Sequence, residues 1–144
     1  MKNNIFKTEC NAIVVTVNCE GVMGAGIAKE AAKLYPIESE YYKRACREGW
    51  LAPGGVFVVA GYHTPKWLIF FATKDSWKNN SKIEWVARGM NELVSQIRLL
   101  GISSVAIPPL GCGHGNLKWK EVKPIIEEAV KTIPEVKVEI YEPK

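Results

Sequence analysis

The chain has 144 residues, 47% of them hydrophobic and 24% charged, which suits one domain with a full core and is too short for two. That balance excludes a disordered chain, and no apolar run approaches the roughly 18 residues of a membrane span. The net charge of +4 permits a polyanionic partner without demanding one.

The start, MKNNIFKTEC, is polar and lacks the apolar stretch of a secretory leader. Cys10, Cys19, Cys46 and Cys112 fall at irregular spacings with no C-x-x-C pair. This argues against a metal site or a disulfide framework and predicts a reduced, cytoplasmic chain. With no repeat, linker or low-complexity tract, residues 1–144 read as a single domain.

AIVVTV (12–17) is a solid apolar run, the pattern of a strand buried on both faces. GAGIAKEAAKLYP opens a helix at its glycines and stops at Pro36, with Ile27, Ala31 and Leu34 on one face. A second helix, IESEYYKRACREG, ends at Gly49. VFVVAGY (56–62) and WLIFFATK (67–74) are strands joined by a turn at Thr64-Pro65. Ser81 and Glu84 have capping-box spacing for a long helix, SKIEWVARGMNELVSQIRLL, which stops at Gly101. SVAIPPL (104–110) is another buried strand and runs into a second glycine loop, GCGHGN. A helix near 119–132 carries Pro124 close to its start, where a missing N–H does least harm, and VKVEIYE is the last strand. Strands alternating with helices predict an α/β sandwich.

Two strands end in loops of small residues, VNCEGVMGAGIAK (17–29) and GCGHGN. Such loops let backbone N–H groups approach an anion, with a helix N-terminus adding its dipole. Both lie at strand carboxyl ends, where open α/β sheets bind ligands. Together they predict two phosphates, or one diphosphate held from both sides; either loop alone reads equally well as a tight turn. Known phosphate motifs do not fit. Gly21 and Gly26 have P-loop spacing, but Ile27-Ala28 replace its lysine and hydroxyl. Gly24 and Gly26 begin a dinucleotide fingerprint whose third glycine is Lys29 here.

VNCEGVMGAGIAKEAAKLYP, FFATK and PPLGCGHGNLKWKEVKPIIEEA, in that order, resemble the macrodomain family, which binds ADP-ribose. The likeness is to the branch holding the DNA ADP-ribosyl glycohydrolase antitoxins and the terminal ADP-ribose protein glycohydrolase, and it covers nearly the whole chain. The resemblance implies a three-layer α/β/α sandwich around a mixed sheet, with ADP-ribose as ligand and product and neither cofactor nor metal. It places Asn4 and Ile5 at the adenine, Asn4 standing where the family usually has aspartate. Thr16, Val17 and Asn18 would line the distal ribose, and Val15 stands where antitoxin relatives usually have asparagine. Gly24 and the run Gly26, Ile27, Ala28, Lys29 and Glu30 would cover one side of the diphosphate. Gly111, Cys112, Gly113, His114 and Gly115 would cover the other.

In this branch a lysine after threonine at the end of the matching strand is the nucleophile, which implies that role for Lys74 beside Thr73. Composition alone reads Lys74 as a solvated strand-end residue. A nucleophilic lysine must shed its proton, so it needs an apolar approach, which WLIFFAT supplies, and no inward carboxylate from Asp75. The protein-directed relative carries an aspartate at the position of Gly115. His114 and Cys112 are substitutes by chemistry, although loop packing and substrate contact describe them as well. His63, near a turn, is structural or exposed.

Trp77, Lys78, Lys82 and Trp85 follow Lys74, and Lys118, Trp119 and Lys120 follow the late loop. Basic side chains among aromatics suit a nucleic-acid strand; Trp85 and Trp119 also suit a core. The resemblance thus implies an antitoxin-like glycohydrolase removing ADP-ribose from thymidine in DNA, paired with an ADP-ribosyltransferase toxin and acting away from membranes. Its alternatives are a hydrolase of ester-linked ADP-ribose, on protein acids or in O-acetyl-ADP-ribose, and a non-catalytic ADP-ribose reader.

Overall fold

A computed structural model describes residues 4–144. Its strands are β1 (Ala12–Val17), β2 (Val56–Ala60), β3 (Trp67–Ala72), β4 (Ser104–Ile107) and β5 (Lys137–Ile140). They form one mixed sheet in the order β2-β3-β1-β4-β5. β1 runs parallel to β3 and β4, β5 runs parallel to β4, and only β2 is antiparallel to its neighbour. Ala12 sits opposite Trp67 and Val17 opposite Ala72. β1 and β3 therefore end together, and the loops that begin at Asn18 and Thr73 emerge side by side.

Helices α1 (Gly26–Leu34) and α2 (Pro36–Arg47) cover one face of the sheet, and α3 (Ile83–Leu100) and α4 (Trp119–Val130) the other. The alternation of a pleated strand decides which residue faces which layer. Ile13, Val15 and Val17 join Leu68, Phe70 and Ala72 beneath Ala28, Ala31, Tyr42 and Ala45. Ala12, Val14, Ile69 and Phe71 join Val86, Met90, Leu93 and Ile97 of α3 with Val122 and Ile126 of α4. The result is the three-layer α/β/α sandwich with a mixed central sheet. Among the described residues, no helix is long and apolar enough to cross a membrane.

Gly89 sets how closely α3 approaches the sheet. A Cβ built there would lie 2.1 Å from the ring of Phe71, which is fully buried. Alanine in a helix interior normally gains about 1 kcal/mol over glycine. Here overpacking wins, and Gly89→Ala is expected to lower stability by about 1–3 kcal/mol in chemical denaturation.

Some local expectations change. Leu34 is 48% exposed, and α1 instead buries Ala28 and Ala31, because its end turns outward to meet α2. Pro36 begins α2 as well as ending α1, at a position where its missing N–H has no partner to lose. Ser81 does not cap α3: Lys82 is the N-cap with no side-chain bond, and the Ser81 hydroxyl is buried without a partner. Pro124 lies further inside α4 than expected, as its sixth residue and on its exposed face. Val15 is fully buried in the core and does not reach the surface.

Candidate functional site

The carboxyl ends of β1, β3 and β4 open into a cleft of about 1120 Å³. Thr16, Val17 and Asn18 form its floor at the end of β1, with Thr73 and Lys74 beside them at the end of β3. Gly24, Gly26, Ile27, Ala28 and Glu30 line one wall, and Gly111, Gly113, His114 and Gly115 line the opposite one. Asn4 and Ile5 lie at one end. Two expected residues stand outside this lining. Lys29 projects from the exposed surface of α1. Cys112 is half-buried, packs against the α3–α4 core and donates to the Leu110 carbonyl, 3.6 Å away. Burial pushes its thiol pKa up, which makes it a poor nucleophile.

The first wall is the start of α1. Its N-cap, Ala25, has no side chain able to accept a hydrogen bond, so the first amides of the helix are uncapped. Gly26 adopts φ 58°, a conformation that favours glycine. A Cβ there would lie 3.6 Å from the His114 ring, so the two glycine loops face each other closely. In the late loop, no protein group among the described residues accepts from the N–H groups of Gly113, His114 or Gly115. Opposed sets of free amides, one on a helix N-terminus, make a seat for a diphosphate.

The late loop is braced from behind. Leu117 N–H donates to Gly111 (2.9 Å), Ser81 N–H to Gly115 (3.0 Å), and Asn116 Nδ2 to Asn80 Oδ1 (2.7 Å). A Cβ on Gly115 would fall 2.2 Å from Ser81 Oγ and 2.5 Å from the Gly111 carbonyl. The loop therefore has no room for a carboxylate at this position.

Asn18 organises the early loop. Its Oδ1 accepts from Glu20 N–H (2.9 Å) and Val22 N–H (3.3 Å), while its Nδ2 donates to the Val22 carbonyl (2.9 Å). Tyr42, buried and stacked on Phe70, donates its hydroxyl to the Asn18 carbonyl at 2.7 Å. Burial drives the Tyr42 pKa well above the usual phenol range. One Nδ2 hydrogen of Asn18 is left for a ligand. Asn18→Leu strands two loop amides and a carbonyl, and is expected to cost about 2–4 kcal/mol in thermal or denaturant unfolding. Asn4 is similarly engaged, its Oδ1 accepting from Phe6 N–H at 3.0 Å.

Lys74 is half-buried at the cleft wall and joins no ion pair among the described residues. Among the described residues its Nζ donates only to the Trp77 carbonyl, a long bond of 3.5 Å that tethers the amine weakly. Asp75 does not face it. The Asp75 carboxylate accepts from Asn79 Nδ2 (3.2 Å) and Ser76 N–H (2.7 Å), and those two bonds hold its pKa below the ordinary value. Glu20 reaches across from the early loop to accept Trp77 N–H at 3.0 Å. The Ser76 hydroxyl, then that N–H, lower the Glu20 pKa. Cys19 completes the seam, with N–H to the Asp75 carbonyl (3.2 Å) and Sγ to the Lys74 carbonyl (3.4 Å). Burial raises its thiol to about 12.

Of the basic and aromatic residues expected at the mouth, Trp77 and Lys78 line the cleft. Lys82 stacks over Trp85 at 5.2 Å away from it, and Trp119 packs on the α3–α4 core, so Lys82, Trp85, Lys118, Trp119 and Lys120 do not contribute. His63 is exposed and packs edge-on against Tyr62. Phe6 and the tail Tyr141, Glu142, Pro143 and Lys144 line the cleft without having been expected there. The available signal was topological: β5 is parallel to β4, so the residues after it leave at the same edge as the glycine loops.

A family model described as Macro domain matches residues 14–126. A Thermus aquaticus protein named DNA ADP-ribosyl glycohydrolase is 37% identical over 145 residues, covering 99% of this chain. The chain spans about two fifths of that relative, 40% of its length. The solved macrodomain of Mycobacterium tuberculosis DarG superposes with a TM-score of 0.97 at 38% identity, covering 100% of this chain and 96% of that one. Thermosipho africanus DarTG, solved in complex with ADP-ribose, superposes with a TM-score of 0.91 at 31% identity, covering 97% of this chain and 40% of that one. A mixed sheet with paired glycine loops at its carboxyl edge, matched over most of its length by the family model, makes this chain a member of the macrodomain family.

Proposed function

We propose that residues 1–144 work as a single macrodomain that binds ADP-ribose and hydrolyses it from modified DNA in the cytoplasm. One observation carries the reading: two opposed sets of free backbone amides share a cleft with the half-buried, weakly tethered amine of Lys74 at the end of β3. Asn4 and Ile5 take the adenine end, the glycine loops take the diphosphate, and Thr16, Val17, Asn18 and Thr73 surround the distal ribose. The unprotonated Lys74 amine attacks the anomeric carbon of that ribose. The bond to the base breaks, its electron pair leaves with the base, and the proton released by the amine ends there. Water then cleaves the lysyl adduct, giving ADP-ribose and free Lys74. Seating the sugar beside the amine supplies the attack geometry.

The names of the relatives support the reaction, since the Thermus aquaticus protein is named for it and the Thermosipho africanus structure holds ADP-ribose. Ser81 behind Gly115 supports DNA over protein as substrate, because the aspartate of protein-directed relatives has no space here. A hydrolase of this kind implies a partner ADP-ribosyltransferase that makes its substrate.

Incubation with an ADP-ribosylated thymidine oligonucleotide, an ADP-ribosyl-glutamate peptide and O-acetyl-ADP-ribose tests the proposal. Release of ADP-ribose from the oligonucleotide is expected. Release from the esters alone would assign the chain to ester hydrolysis, and binding without any release would make it a reader.

A further inference from the structure

We propose that the Trp77 indole is the platform on which the departing base of the ADP-ribosylated nucleic acid stacks, so that the site favours flat aromatic leaving groups. This rests on the hydrolase reading above. Trp77 lines the cleft and is 55% exposed, whereas Trp67, Trp85 and Trp119 are half-buried, and Trp50, 59% exposed, lies outside the cleft with the Arg44 guanidinium over its ring. An indole left in water at a tight turn forgoes the burial that normally places it, and the turn itself does not need one.

The backbone that carries this ring is fixed on both sides. Trp77 N–H is held by the Glu20 carboxylate at 3.0 Å, and its carbonyl receives Lys74 Nζ at 3.5 Å. The turn is closed by Ser76 N–H on Asp75 (2.7 Å) and Asn79 N–H on the Ser76 carbonyl (3.1 Å). An exposed ring on a pinned backbone loses little freedom when a ligand stacks on it. Its place is also specific. The leaving group departs from the carbon that Lys74 attacks, and the peptide bonded to Lys74 Nζ is that of Trp77 itself.

Lys78 adds the second element of strand recognition. Its Nζ lies 5.9 Å from the centre of the Trp77 ring and the residue lines the same cleft. A base on the indole would bring its flanking phosphate toward this ammonium, the pairing of stacking and charge that single strands use. A glutamyl leaving group would use the charge and gain nothing from the ring.

The test compares Trp77→Ala and Trp77→Phe with the unsubstituted chain on an ADP-ribosylated oligonucleotide, alongside calorimetry with free ADP-ribose. Trp77→Ala is expected to lower kcat/KM by roughly 5- to 150-fold, the range for one base stacked on an aromatic ring. Trp77→Phe should keep most of the rate, and neither should alter ADP-ribose affinity. In a Lys74→Ala background, binding of the intact oligonucleotide should weaken by the same factor. Wild-type kcat/KM in Trp77→Ala overturns the inference alone, as does an equal loss of ADP-ribose affinity. An unsubstituted chain that cleaves only esters overturns the hydrolase reading as well.

Discussion

Lys74→Ala is expected to lower release of ADP-ribose from modified DNA by at least about 10³-fold while affinity for free ADP-ribose stays within a few fold. The two readouts separate because the amides proposed to seat the diphosphate belong to the main chain of other loops. Cys112 does not replace Lys74, since it lies off the cleft with its thiol pKa raised by burial. Lys74→Arg should fail equally, since a guanidinium keeps its proton and cannot attack. The lysyl glycosylamine exchanges with its ring-opened imine, so borohydride added during turnover should reduce that imine and leave the mass of the sugar on the peptide containing Lys74. Undiminished turnover in Lys74→Ala would remove this amine from the reaction.

Gly26→Val should have the larger effect on binding, lowering ADP-ribose affinity on the order of 100-fold by calorimetry. Gly26 holds φ 58°, where a branched side chain is strained by roughly 1–2 kcal/mol. The added carbons would also crowd the His114 ring, 3.6 Å from the Cβ position, and cover amides that must meet the anion. Gly24→Ala should lose less affinity than Gly26→Val, because its Cβ meets no protein atom within 4 Å and its backbone needs no left-handed conformation. Equal affinity in both variants would mean that this loop does not hold the diphosphate.

The central strands β1 and β3 were legible in the sequence because each is a solid apolar run, AIVVTV and WLIFFATK, and a buried strand needs little else. The glycine loops were legible for a similar reason: their bareness is local. What escaped was set by neighbours far along the chain. Ser81 and Glu84 have the spacing of a capping box, but the Ser81 side chain turns under Gly115, a contact no local pattern encodes. Phe6 and Tyr141 meet at one cleft only because β5 pairs beside β4. The same holds for Lys29 and Cys112. Each belongs to a glycine-rich motif, yet the turn of α1 carries one outward and core packing draws in the other. Asp75 shows the limit most directly, since its adjacency to Lys74 gives no hint that Asn79 and Ser76 engage its carboxylate.

The account depends on unclothed peptide groups from facing turns holding a pyrophosphate. Calorimetric titration with free ADP-ribose measures this most directly. Saturable heat with one molecule bound per chain is the predicted result; a flat trace up to millimolar ligand would contradict it.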